Sequence, residues 1–195
     1  MRERVLRQES GFTLPEMLVT IVVMMVVLFA LYNIFDMSIR VFGFGNDKVE
    51  AVENARLGLE RMERELRAAY PYDKRNGNNT LLTTRTSNSI AFGNDLNGDR
   101  KIDAASEQIA YSLSSGSPAT LQRNGQPVVE FVQDVDGDGK ALAFEYMTAN
   151  GTAATNEADI SMVRIKLEVA VDRGIHERPV TQILQTDVAL RNRGG

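Results

Sequence analysis

Met17 to Phe35 is a run of 19 residues without a charge. A helix rises 1.5 Å per residue, so about 20 such residues cross a hydrocarbon core of about 30 Å. The run is too long for an ordinary secretory signal. Its far end, Tyr32-Asn33-Ile34-Phe35-Asp36, also makes a poor cleavage site. A buried core helix rarely goes this long without charge, so the segment reads as a membrane span. Ahead of it, Arg2, Arg4 and Arg7 stand against Glu3 and Glu9. The positive-inside bias then places the N-terminus in the cytoplasm and the rest outside. One residue breaks the pattern. Glu16 puts a carboxylate into an otherwise apolar zone, at a cost of about 3 kcal/mol or more unless it finds a partner or snorkels to the headgroups. The expectation is a segment that waits in the membrane and is completed by another subunit.

Gly11-Phe12-Thr13-Leu14-Pro15-Glu16, between a short charged leader and the apolar run, resembles the type IV prepilin signal shared with the pseudopilins of type II secretion. The resemblance implies that a prepilin peptidase cuts between Gly11 and Phe12 on the cytoplasmic side and methylates the new amino terminus of Phe12. The apolar segment then stays as an anchor and later enters a filament core. Glu16 of one subunit would neutralise the Phe12 amine of a neighbour, a paired charge replacing an unpaired one. That pair would set register, as a single polar residue does in a coiled-coil seam. The implied partners are the peptidase, other minor and major pilins or pseudopilins, an inner-membrane assembly platform and the bilayer. The implied location is the bacterial inner membrane, single-pass with a periplasmic C-terminal domain, and then the pilus or pseudopilus.

Three segments are expected: a leader over 1–11, a long helix over 12–70 that spans the membrane at about 12–35, and a β-rich domain over 71–195. Gly43 and Gly45 each weaken a helix by about 1 kcal/mol, which predicts a bend or a melted stretch. Beyond them Val49, Val52, Leu59, Met62, Leu66 and Ala69 form an apolar stripe at helical spacing, with Glu60 and Arg64 as an i,i+4 pair. Pro71 disfavours helix before it, so the helix should stop at Ala69-Tyr70.

Strands are expected at 81–84, 89–92, 108–113, 120–123, 128–132, 142–147, 160–171 and 181–190. In the seventh, Val163, Ile165, Leu167, Val169 and Val171 alternate with Arg164, Lys166, Glu168 and Ala170, a half-buried antiparallel strand with its partner across the 172–179 turn. A long helix on such a sheet is an α+β architecture, the pilin plan. From Ile90-Ala91-Phe92 to the ending Val188-Ala189-Leu190-Arg191-Asn192, the order of features resembles the W-type minor pilins most and the J-type minor pseudopilins next.

Two acidic loops bear on metal binding. Asp95, Asn97, Asp99 and Asp103 have the 1, 3, 5, 9 spacing of a calcium loop. Asp134, Asp136 and Asp138, with Gly139 sixth and Glu145 twelfth, match an EF-hand pattern. Calcium takes six to eight oxygens, which such residues supply. The flanks read as strands, however, and an extended chain carries Glu145 roughly 20 Å from Gly139, at about 3.3 Å per residue. Glu145 is therefore set aside, and the competing reading of each loop is a plain Asp-Gly turn. The two loops have different flanks, and no internal repeat is read in the chain.

Catalysis finds little support. The chain has 195 residues, a net charge of −4, no cysteine and one histidine. His176 reads as a solvated turn residue, the serines around Gly116 as a loop, and zinc ligands at usable spacing are absent. With no basic run beyond the leader, nucleic-acid binding has no footing. The expectation is a structural subunit, a minor type IV pilin processed by prepilin peptidase and acting in pilus priming and assembly. A J-type pseudopilin and a membrane-anchored calcium- or ligand-binding module that never polymerises are the alternatives.

Overall fold

The computed structural model describes residues 11–103, 105–171 and 179–192; His176 and most of the stretch expected to turn, 172–178, lie outside them. One helix, α1 (Leu14–Arg67), precedes eight strands: β1 (Leu82–Arg85), β2 (Ser89–Gly93), β3 (Gln108–Leu113), β4 (Ala119–Arg123), β5 (Gln126–Val132), β6 (Leu142–Met147), β7 (Met162–Val171) and β8 (Val180–Ala189). The chain divides into two compact units at Gly43–Phe44.

In the first unit the side chains of α1 are exposed from Leu14 to Phe35, as a segment solvated by lipid requires. Its few polar side chains are satisfied by the helix itself. Thr20 Oγ1 donates to the Met17 carbonyl at 2.9 Å, Asn33 Nδ2 to that of Phe29 at 2.8 Å, and Ser38 Oγ to that of Ile34 at 2.8 Å. Among the described residues one helix, α1, is long and apolar enough to cross a membrane.

The helix continues through Gly43 and Gly45, contrary to the expected melting. Adding a residue to an existing helix is easy where starting one is hard, so two glycines inside a 54-residue helix do not break it. The stripe also differs from expectation. Val49 is exposed, and the buried line runs through Asp47, Ala51, Ala55, Gly58, Leu59, Met62 and Leu66. Small residues face the sheet here because the backbones approach closely. A Cβ added at Gly58 would lie 2.1 Å from Val129 Cγ2 on β5. Gly58→Ala should therefore lower stability by about 1–3 kcal/mol, read as a fall in the urea midpoint. An unchanged midpoint would show that β5 yields freely. The expected Glu60–Arg64 pair is replaced by Arg56–Glu60, Arg61–Glu65 and Glu63–Arg67. In the second unit, Asn192 Nδ2 caps the helix end by donating to the Ala69 carbonyl at 3.0 Å, and Tyr70 N–H bonds to the Gly93 carbonyl at 2.8 Å as the chain turns into Pro71.

The sheet is antiparallel in the order β1-β2-β3-β4-β5-β7-β6, with β8 also paired to β7. β8 runs along the whole of β7, from Met162↔Ala189 to Val171↔Val180. On its other side β7 meets β6 over Met162–Leu167 and then β5 at Val169. All eight predicted strands are present, with ends shifted by at most two residues. β7 is not half-buried throughout. Its odd positions join the core under the helix, but Glu168 and Ala170 on the other face are buried too. The cover is the chain after β5, whose Gln133 N–H donates to the Glu168 carbonyl at 3.2 Å.

One polar knot sits between helix and sheet. Glu65 on α1 accepts from Tyr111 Oη on β3 at 2.7 Å, from Arg123 Nε on β4 at 2.9 Å and from Arg61 Nε at 3.2 Å. Tyr111 is fully buried and stacks near Phe92, with ring centroids 6.4 Å apart. Burial and the Glu65 carboxylate push its hydroxyl well above the usual range, so it remains a donor.

Candidate functional site

Two places gather the residues that sequence singled out. The first is the start of α1. Gly11 is exposed and has no atom within 4 Å of where a Cβ would stand, and Phe12 is exposed beside it. Nothing in the described chain blocks access to the bond between them. Thr13 is the residue before the helix, and its carbonyl accepts the first helical bond, from Met17 N at 3.1 Å. Glu16 turns back on it. Its Oε2 accepts from Thr13 N at 2.9 Å and from Thr13 Oγ1 at 2.8 Å. A Thr-x-x-Glu sequence at a helix start is a capping-box pattern, and this is the half in which the third residue closes on the cap. Pro15 fits the first turn because its missing N–H would have had no helical partner. The cap was readable from Thr13 and Glu16, but the sequence argument weighed Glu16 against a neighbouring subunit and the headgroups and not against Thr13.

The second place is the pair of acidic loops, which are one structure built twice. In the first, Asp95 accepts from Gly98 N at 2.7 Å and Arg100 N at 3.0 Å, Asn97 from Asp99 N at 2.8 Å, and Asp99 from Lys101 N at 3.0 Å. In the second, Asp134 accepts from Gly137 N and Gly139 N, both at 2.8 Å, Asp136 from Asp138 N at 3.1 Å, and Asp138 from Lys140 N at 2.8 Å. Each loop is then closed by a buried glutamate from outside it. Glu107 Oε1 takes Leu96 N at 3.2 Å and Asn97 N at 3.3 Å; Glu168 Oε2 takes Val135 N at 2.6 Å and Asp136 N at 3.3 Å. The chain reads without an internal repeat, yet the two loops share one turn. The loops match bond for bond although their flanks differ, because the 1, 3, 5 carboxylate or amide pattern alone dictates the turn.

Asp134, Asp136, Asp138 and Glu168 each bring a carboxylate oxygen into a group within 4.8 Å of one another. The cation nearest them is Lys166, whose Nζ lies 2.6 Å from Asp136 Oδ2, 3.1 Å from Asp138 Oδ2 and 2.5 Å from Glu168 Oε1. Hydrogen bonds to Asp136 and then Glu168 raise the lysine pKa, and the Lys166 bond holds the Asp136 carboxyl below its usual range. Glu145 stands apart as expected, exposed and paired with Arg164 at 3.6 Å. In the first loop Asp103 pairs with Lys101, and Asp99 lies 3.9 Å from Arg75. Glu107 and Glu168 escaped sequence reading because neither falls at a ligand position of a linear motif, and Glu168 sat on what looked like the solvent face of β7.

Residues 6–32 match the family model of the prokaryotic N-terminal methylation motif. The chain carries a prepilin-type N-terminus. With one long N-terminal helix and an antiparallel sheet domain, the match supports a type IV pilin-like protein anchored in a membrane. The match covers the N-terminal segment and not the β domain. No curated protein gives a significant match to the chain.

Proposed function

We propose that this chain is a minor type IV pilin, a structural subunit that primes pilus assembly after prepilin peptidase cuts between Gly11 and Phe12 and methylates Phe12. The observation that carries the reading is the junction itself: an exposed Gly11-Phe12 bond, with Glu16 one helical turn on, opening a helix that is long and apolar enough to span a bilayer. A role in assembly needs no catalytic group. The sheet domain would give partner specificity, and the N-terminus would lie on the cytoplasmic side. Mass spectrometry of the protein from cells with an active prepilin peptidase tests this. The expected product starts at N-methylated Phe12, and a chain that keeps its first 11 residues would end the proposal.

A second proposal concerns calcium at Asp134, Asp136 and Asp138 with Glu168. Glu168 favours it: the side chain is wholly buried, and its Oε1 faces the three aspartates with the Lys166 ammonium 2.5 Å away as its charge partner. Calcium would supply more charge and take more oxygens than one ammonium, and Lys166 would swing out. Ligand bound to the folded state alone raises stability in proportion to RT ln(1 + [L]/Kd). Calcium in the millimolar range should raise the melting temperature of the full chain, and Glu168→Gln should cancel the rise. An identical melting curve with calcium and with a chelator would remove the proposal.

A further inference from the structure

The twin loops differ at one place that their shared geometry makes conspicuous. The sixth residue of the second loop is Gly139, with φ at 79°; the sixth of the first is Arg100, with φ at 68°. Left-handed backbone costs a side-chain-bearing residue about 1–2 kcal/mol, and glycine nothing. Asn124, the other polar residue at positive φ, occupies an Asn-Gly hairpin turn where that conformation is ordinary. Arg100 is held there by the turn, its N–H donating to Asp95 Oδ2 at 3.0 Å, but it carries a long side chain where the twin loop has glycine. Strain of this kind points to a role for the side chain.

Arg100 opens onto a cleft of about 480 Å³ lined by Tyr70, Lys74, Arg75 and Arg100. Three of the four lining residues are cations, in a chain of net charge −4. Backbone bonds brace the wall: Lys74 N to the Arg100 carbonyl at 3.2 Å, and Ile102 N to the Tyr72 carbonyl at 2.8 Å. Of the nearby carboxylates, Asp73 is turned to its own turn and Asp99 reaches the cleft only as a long ion pair with Arg75. Asp73 accepts from Asn76 N at 3.2 Å and Asn76 Nδ2 at 2.6 Å, and Asp99 Oδ1 takes Lys101 N, leaving Oδ2 at 3.9 Å from Arg75. Among the described residues no carboxylate pairs with Lys74 or Arg100.

We propose that this cleft binds a phosphate monoester, with Arg100 and Arg75 gripping its oxygens, Lys74 adding charge and the Tyr70 phenol donating at the rim. Guanidinium forks match the spacing of phosphate oxygens and bind them in pairs. The cleft holds a single headgroup-sized ligand. The acidic loop beside it and the negative net charge disfavour a long polyanion such as a nucleic acid strand. The same chemistry is offered by a free sugar phosphate and by a phosphate-bearing lipid headgroup. The inference does not depend on polymerisation.

The test uses the full chain in neutral detergent, titrated calorimetrically with glycerol 3-phosphate and, separately, with short-chain phosphatidic acid. Binding of either is expected, and binding of one alone names the source. Arg100→Gly should weaken binding about tenfold or more, the loss of a charge-assisted contact, while melting at the same or a higher temperature because the strain is relieved. Equal affinity in the two proteins would overturn the proposal. So would a glycine variant that melts lower, or absence of binding to both probes in the millimolar range, or tighter binding to a single-stranded oligonucleotide than to either probe.

Discussion

Replacing Glu65 by alanine is expected to cost about 3–5 kcal/mol, the range for removing one partner of a buried ion pair. The change would leave the Arg123 guanidinium, whose side chain is 24% exposed, and the fully buried Tyr111 hydroxyl without their acceptor. Domains of this size are stable by about 5–15 kcal/mol, so the variant would lose a large part of its margin and melt well below the wild type. Glu65→Gln keeps an acceptor for Tyr111 and should lose less. The pH dependence separates charge from shape. Burial raises the Glu65 pKa, but the hydrogen bonds from Arg123, Tyr111 and Arg61 outweigh it, and the carboxyl ends below the ordinary value of 4.5. A carboxyl depressed in the folded state stabilises the fold above its ordinary pKa, and that stability is lost as pH falls through the lower folded value. Wild-type melting temperature should therefore drop steeply as pH falls below about 4.5, and the glutamine variant should show a shallower drop. Parallel curves would mean that the carboxylate charge adds nothing to the fold.

The eight strands were legible because their evidence is local: period-two alternation and turn residues leave little choice, and β3 and β6 match residue for residue. The helix stripe was less legible. Val49 looked apolar and therefore inward, yet Ala51, Ala55 and Gly58 face the sheet, since a close helix–sheet approach selects size over hydrophobicity. Glu65 is one of many charges along the helix and nothing in the sequence sets it apart, because its partners Tyr111 and Arg123 lie 46 and 58 residues away. The same distance hid Glu168, which lies 32 and 33 residues from the amides it closes. Short-range pattern thus gave elements, loops and the N-terminal junction, while every long-range polar contact had to wait for the fold.

Glu16→Ala is expected to leave the precursor inserted, cut after Gly11 and methylated, and to reduce filament or secretion output to a small fraction of wild type. The physical reason lies in how the carboxylate is used. Among the described residues Oε2 alone is engaged, by Thr13 N and Thr13 Oγ1. Oε1 is left for an ammonium, which under the proposed function would be the charge that cleavage creates at Phe12 of an adjacent subunit. A paired carboxylate escapes most of the cost of an acid in lipid, and that difference would favour the assembled state. Alanine also removes a helix cap worth about 1 kcal/mol, so the cap needs its own control. Thr13→Ala takes away the hydroxyl and keeps the carboxylate. If the cap alone mattered, the two variants would assemble equally poorly; if the carboxylate pairs between subunits, Thr13→Ala should assemble far better than Glu16→Ala. A Glu16→Ala chain that matures and still supports full output would show that the acid plays no part in assembly, and the subunit would then be an anchored binding module.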